Sequence, residues 1–415
     1  MRTALPGRGG ASVRARARRH CDTSSLTPSR SLREIPAGVW VLGFVSMLMD
    51  ISSEMIHSLR PMFMVSTLGI SIFAIGLIEG LAESTALIVK VFSGVWSDYL
   101  GKRKGLAVLG YALGAVSKPV FALTSGLGVI VFARLLDRVG KGIRGAPRDA
   151  LVADITPEHV RGAAFGLRQS LDTVGAFAGP LIAVGLMFAW ANDFRAVFWV
   201  ATVPACMAVA LLAFGLREPP RTPSERRINP IRRQNIVSVP TAYWWVVGLG
   251  AVFTLARFSE AFHVLRAQQT GVPMAMVPLV MVAMNLIYAA SGYPFCALSD
   301  AVSHKKLLGI GLAVLVAADL VLASGTNWYA LFGGVDLLGV HMGMTQGLLA
   351  TMVANTAPAD LRGTAYGVFN LVSGLAMLVA SVLAGSMWEG FGAASTFYMG
   401  ATLGGLALAL LGIGE

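Results

Sequence analysis

Apolar residues gather into twelve stretches separated by polar or Gly/Pro-containing breaks, at residues 37–62, 72–96, 105–124, 127–152, 163–189, 196–215, 242–267, 274–298, 307–324, 328–354, 364–387 and 395–413. A helix rising 1.5 Å per residue needs about 20 mostly apolar residues to cross a bilayer. The pattern therefore predicts an all-α membrane protein with six spans in each half. The fourth and seventh stretches are interrupted by charge, and their assignment leans on an internal repeat.

That repeat is visible in polar residues set inside apolar surroundings. Ser53-Glu54-x-x-His57-x-Leu59-Arg60 returns as Ser259-Glu260-x-x-His263-x-Leu265-Arg266, an offset of 259 − 53 = 206. Ser97-Asp98 returns as Ser299-Asp300 (300 − 98 = 202), and Pro157-x-x-x-Arg161-Gly162-x-Ala164-x-Gly166 as Pro358-x-x-x-Arg362-Gly363-x-Ala365-x-Gly367 (358 − 157 = 201). A parallel duplication is the economical reading, and such repeats form a substrate site where the halves meet. The expected organisation is an Arg-rich disordered tail over 1–36, a first six-helix half over 37–215, a linker over 216–241 and a second half over 242–415.

Composition strengthens the membrane assignment: 55% of the 415 residues are hydrophobic and 13% charged, with mean hydropathy +0.68. Charge then orients the chain. Eight arginines lie between Arg2 and Arg33, six between Arg217 and Arg233, and Lys102-Arg103-Lys104 and Lys305-Lys306 add to the same side. Basic loops stay cytoplasmic, so both termini are expected inside, with the location a bacterial plasma (inner) membrane. The net charge of +11 is then topology, and no nucleic-acid partner is expected because the Arg runs lack interleaved aromatics. The tail has no apolar core or small-residue cleavage site, unlike a secretory signal. Cys21, Cys206 and Cys296 show no ligand spacing, and no phosphate-cradling loop occurs. No metal, cofactor or enzymatic activity is expected.

The loop after the second span, Gly94-Val-Trp-Ser97-Asp98-Tyr-Leu-Gly101-Lys102-Arg103-Lys104, resembles the signature loop of the major facilitator superfamily. The resemblance runs from about Gly38 to Gly414. It implies twelve helices in two pseudo-symmetric halves that rock between inward-open and outward-open states, working as a monomer. Gly94, Asp98, Gly101, Lys102 and Arg103 would form a cytoplasmic gate, and Asp300 belongs to the second copy, where both glycines are replaced. On the fourth span Arg134-Leu-Leu-Asp137-Arg138-Val-Gly140-Lys141-Gly142 resembles the superfamily's intramembrane Arg motif, which implies assistance to proton transfer by Arg134. Arg138 stands where many members have Gly. On the fifth span Gly175-Ala-Phe-Ala-Gly179-Pro180 is similar to the antiporter motif, although Ala183-Val184 replace its usual Gly pair; small residues four apart also simply let two helices approach closely.

Helical spacing puts Arg134, Arg138, Lys141 and Arg148 on one strip of the fourth span. Asp50, Glu54 and His57 share a face of the first span, as do Glu79, Glu83 and Lys90 of the second. Charges at this depth cost at least about 2.5–3.5 kcal/mol unless paired or hydrated, so they face one another or a wet cavity. One reading is a set of satisfied ion pairs that packs the first half. The other assigns proton exchange to Asp50, Glu54 or Glu83, tuned by burial and by the Arg strip, with His57 and His263 each three positions after a Glu and within reach of it. Arg168 and Asp172, at i and i+4, read as an ion pair.

Candidate substrate contacts are Arg138, Lys141, Arg257, Glu260, Asn285, Tyr288 and Asn370. The expected function is proton-coupled transport of a small polar or anionic organic solute, by antiport outward. Alternatives are a symporter importing an anionic metabolite or a metal chelate such as a siderophore, and a non-transporting membrane sensor on the same fold.

Overall fold

Hydrocarbon offers no partner to backbone N–H and C=O groups, so long apolar runs resolve as helices. The computed structural model describes residues 34–100, 103–218, 240–299, 302–345, 347–357 and 362–413, and all regular structure among them is helical. The first half contains α1 (Ala37–His57), α2 (Arg60–Ser66), α3 (Ile72–Leu100), α4 (Arg103–Ala122), α5 (Leu127–Ile155), α6 (Arg161–Ala189) and α7 (Phe194–Gly215). The second contains α8 (Thr241–Leu255), α9 (Ala261–Gln269), α10 (Leu279–Ser299), α11 (His304–Ser324), α12 (Trp328–Thr345), α13 (Leu348–Thr356), α14 (Arg362–Phe391) and α15 (Ala393–Ile413).

Nine helical segments among the described residues are long and apolar enough to span a membrane, the first running unbroken in hydropathy from Ala37 to Ser66 across α1 and α2. The three remaining spans depart from that standard for visible reasons. Helix α5 is 29 residues long but carries the charged strip. The seventh stretch, expected as one helix over 242–267, is divided into α8 and α9 around Ala256–Glu260. The tenth, expected over 328–354, is divided into α12 and α13, where Gly347 adopts φ +76°, a left-handed conformation that glycine enters without steric penalty.

The duplication reappears as an almost constant offset of helix starts: 304 − 103, 328 − 127 and 362 − 161 are each 201. Gly69 and Gly271, the turns that follow the broken first and seventh spans, both have positive φ (+63° and +82°). The two halves meet through α3 against α14 and α6 against α10. Contact of α3 with α14 is continuous, from Phe73 beside Gly385 to Val91 beside Gly367.

Core packing is asymmetric across the membrane. Away from the basic loops, one buried cluster joins both halves, with Met55, Leu59, Phe63 and Phe198 of the first and Phe253, Phe262, Trp388 and Phe397 of the second. Towards the basic loops the first half has its own core around Val39, Tyr111, Leu151 and Leu212. A second separate core lies around Tyr243 and Val353. The halves are therefore sealed on one side, whereas toward the basic loops they keep the α3–α14 contact and part beside it.

Candidate functional site

The parting holds a cavity of about 510 Å³ lined by α1, α3, α5, α6 and α10. Its mouth on the basic side is marked by the exposed side chains of Lys90 and Gln169. Asp50 and Glu54 enter it from α1 because α6 presses on the backbone behind them. A Cβ at Gly175 would lie 2.6 Å from the Met47 carbonyl oxygen and 3.0 Å from Asp50 Cβ; one at Gly179 would lie 2.7 Å from the Ile51 oxygen and 2.9 Å from Glu54 Cβ. The glycine spacing read as a close helix contact is thus the support of two cavity acids, and Pro180, buried in α6, follows directly. Gly179→Leu is expected to cost about 1–3 kcal/mol through overpacking and to lower the thermal midpoint in detergent. Gly185→Leu, at a position with nothing within 4 Å, serves as the control that leaves it unchanged.

Behind the cavity wall an ion-pair chain crosses four elements. Arg60 Nη2 lies 2.7 Å from Glu79 Oε1, Arg134 Nη2 lies 2.7 Å from Glu79 Oε2 and 2.9 Å from Glu83 Oε1, and Arg138 Nη1 lies 3.2 Å from Glu83 Oε1. Asp137 pairs with Lys118 Nζ at 2.8 Å and approaches Arg138 Nε at 3.5 Å. Arg60, Glu79, Lys118 and Arg134 are fully buried. Glu83 is the one carboxylate of the chain that also lines the cavity. Ser259 Oγ reaches Glu79 Oε2 at 3.5 Å, which ties the chain to the second half on the sealed side.

Of the predicted coupling groups, Asp50, Glu54 and Glu83 line the cavity. His57 Nδ1 stands 3.5 Å from Glu54 Oε2, and Arg134 lies in the ion-pair chain. Lys141, Asn285 and Tyr288 line the cavity as well, with Asn285 Nδ2 donating to the Ala176 carbonyl across the halves at 3.2 Å. Arg138 does not open onto it: Glu83 and Asp137 hold its guanidinium, 5% exposed, inside the wall. Arg257 and Glu260 border a different, small cavity in the second half, and Asn370 is half-buried on α14 outside the lining.

The two motif copies have diverged. Glu54 keeps its His, whereas both ring nitrogens of buried His263 lack a hydrogen-bond partner among the described residues. Arg60 pairs with Glu79, whereas Arg266 donates to the carbonyls of Leu322 and Gly325 at the end of α11.

At the cavity mouth Arg168 Nη1 pairs with Asp172 at 2.6 Å, as its i, i+4 spacing predicts, and Arg148 bridges to Asp149 at 3.1 Å and Asp172 at 3.7 Å. Among the predicted gating residues, Gly94 faces Ala146 of α5. Arg103 Nη1 pairs with Asp154 at 2.7 Å, which ties α4 to the end of α5. Asp98 lies on α3; its side chain, Gly101, Lys102 and Asp300 lie outside the described residues.

Sequence reasoning missed Lys118 and Asp319, each a lone ionisable group in an otherwise apolar span, which is the signal that would have found them. Arg144, which helical spacing places beside the cationic strip of α5, has its guanidinium 4.8 Å above the Tyr111 ring.

A family model described as Major Facilitator Superfamily matches residues 42–265 and again 249–414. An uncharacterized MFS-type transporter of Methanocaldococcus jannaschii is 34% identical over 364 residues, 86% of this chain and 90% of that protein. Multidrug resistance protein MdtH of Cronobacter sakazakii is 24% identical over 373 residues, 88% of each chain. The crystal structure of a peptide transporter superposes with TM-score 0.75 at 14% identity, covering 91% of this chain and 93% of that one, a likeness of fold.

Proposed function

The chain belongs to the major facilitator superfamily and is a multi-pass secondary transporter, and we propose that it exports a small polar or anionic organic solute in exchange for protons. One observation carries this reading. Asp50 and Lys141 line the same cavity, and among the described residues neither has an ion-pair partner. Most other charges there are engaged: Glu83 by Arg134 and Arg138, Arg148 and Asp172 at the mouth, Arg144 by Tyr111. An anionic group of the solute pairs with the Lys141 ammonium, and a hydrogen-bond donor of the solute meets the Asp50 carboxylate. When a proton takes Asp50 instead, that contact is lost and the solute leaves. Competition for one carboxylate is sufficient for antiport, because the carrier then crosses loaded either with solute or with a proton.

The multidrug-resistance name of the Cronobacter sakazakii relative supports the outward direction. The basic loops support a cytoplasmic position for both termini, in a bacterial inner membrane. The reading takes the working unit as a monomer, with solute, protons and lipid as its partners.

The test is flux in proteoliposomes. Liposomes loaded with candidate organic anions and placed in acidic medium should release solute faster than liposomes held at equal pH. Uptake accelerated by the same acidic exterior would establish symport in place of antiport.

A further inference from the structure

The small cavity of the second half has a composition that the transport site does not use. It has room for about one water molecule, with a volume near 20 Å³, and Asp319 and His263 both border it. Asp319 is 2% exposed and His263 4%. Asp319 Oδ2 and both His263 ring nitrogens lack hydrogen-bond partners among the described residues. Helix α15 closes on the carboxylate, since a Cβ at Gly400 would lie 2.6 Å from Asp319 Oδ2. Phe258 and Phe397 flank the His263 ring, each with its centroid 5.7 Å away. Two titratable groups with open valences therefore share one water-sized space between aromatic walls.

An unpaired carboxylate in such a place is costly, and the neutral acid or an ion pair are its two stable forms. The charged and titratable groups around it come from three directions. The broken seventh span brings Arg257, Glu260, His263 and Arg266, of which Arg266 is held by carbonyls of α11 and its following turn. Helix α12 brings Asp336 and His341, the latter donating from Nδ1 to the Gly311 carbonyl at 2.7 Å. Helix α15 brings Tyr398, which is exposed, and α13 brings none. No cation among the described residues lies within ion-pair distance of Asp319. Arg257, the cation that borders the same cavity, instead has its guanidinium 5.9 Å from the Phe253 ring centroid.

We propose that Asp319 is a second proton-binding site, acting on the hinge of the seventh span. In this state it is the neutral acid. When its proton passes through the cavity water and His263 and leaves, the carboxylate draws Arg257 into an ion pair across the cavity. That movement turns the Ala256–Glu260 break, and with it α9, which packs on α2 and carries the sealed side. The physiological use of this switch rests on the proton-driven reading above, but proton binding itself does not.

The experiment is infrared difference spectroscopy of the full chain in lipid nanodiscs during a pH titration, with no solute present. The wild-type protein should show a buried protonated-carboxyl band that Asp319→Asn lacks and that Asp319→Glu retains at a shifted position. The same band in wild type and Asp319→Asn overturns the proposal. A second measurement places nitroxide labels at Thr67 and Gln268, exposed at the ends of α2 and α9. Their separation should increase with rising pH in wild type and not in Arg257→Gln. An equal pH response in Arg257→Gln and wild type, or a response to sodium at constant pH, overturns it. Because no transported solute enters either measurement, a failure here is distinguishable from failure of the antiport reading, which shows only in flux.

Discussion

Glu79→Ala is expected to destabilise the protein by about 3–5 kcal/mol, the penalty for removing one partner of a buried ion pair. Glu79 is fully buried and holds two arginines, Arg60 and Arg134, each at 2.7 Å. Its loss leaves both guanidinium groups facing a carboxylate that is gone, and Arg60 has no other ion-pair partner among the described residues. Thermal unfolding in detergent measures the effect. Glu79→Gln should fall between wild type and Ala, since an amide oxygen still accepts a hydrogen bond but carries no charge. Asp149→Asn supplies the contrast: its side chain is 41% exposed, and an exposed pair contributes about 0–1 kcal/mol. A midpoint for Glu79→Ala within a degree or so of that of Asp149→Asn would mean that the chain of pairs contributes nothing to folding.

Removing the Asp50 carboxylate should have the largest effect on transport. Asp50→Asn is expected to reduce gradient-driven movement of solute to the passive level while solute-for-solute exchange continues, because exchange needs no change in protonation. The sign of the pH dependence follows from competition. In wild type, solute affinity falls as pH is lowered and the proton occupies Asp50; in Asp50→Asn the affinity should be independent of pH over that range. Isothermal binding at several pH values, paired with flux, separates the two behaviours. An unchanged pH profile in the variant would assign coupling elsewhere, with Glu54 and Glu83 next on the same cavity wall. Lys141→Gln completes the set, since it should weaken an anionic solute and leave a neutral one nearly unaffected.

Helical spacing correctly grouped the charges of α5 on one strip, but it could not divide that strip by depth. Arg134 and Arg138 sit where α3 approaches with Glu79 and Glu83, so they are consumed by pairing. Lys141 lies one turn further toward the basic side, where the halves have parted, and faces the cavity. One helix therefore carries both a paired network, at Arg134 and Arg138, and a charge that opens onto the cavity, at Lys141. The same limit applies to the duplicated Ser-Glu-x-x-His-x-Leu-Arg motif. Identical residue types at identical spacing meet different neighbours: α3 supplies a carboxylate to Arg60, while the end of α11 supplies bare carbonyls to Arg266.

What the sequence by itself determined was the membrane class, the helical fold, the two related halves and the grouping of charges on the faces of single helices. Apolar run length and the period of a helix are local properties, and a bilayer admits few alternatives to a helix. Which charges are satisfied and which are free was decided only by tertiary structure, because a pair such as Arg60 and Glu79 or Lys118 and Asp137 forms between helices whose facing sides no single helix specifies. The breaks in the seventh and tenth spans, and the parting of the halves on the basic side alone, were decided the same way. They depend on how two separate cores close against each other, which is a property of the assembled halves and not of any stretch of chain.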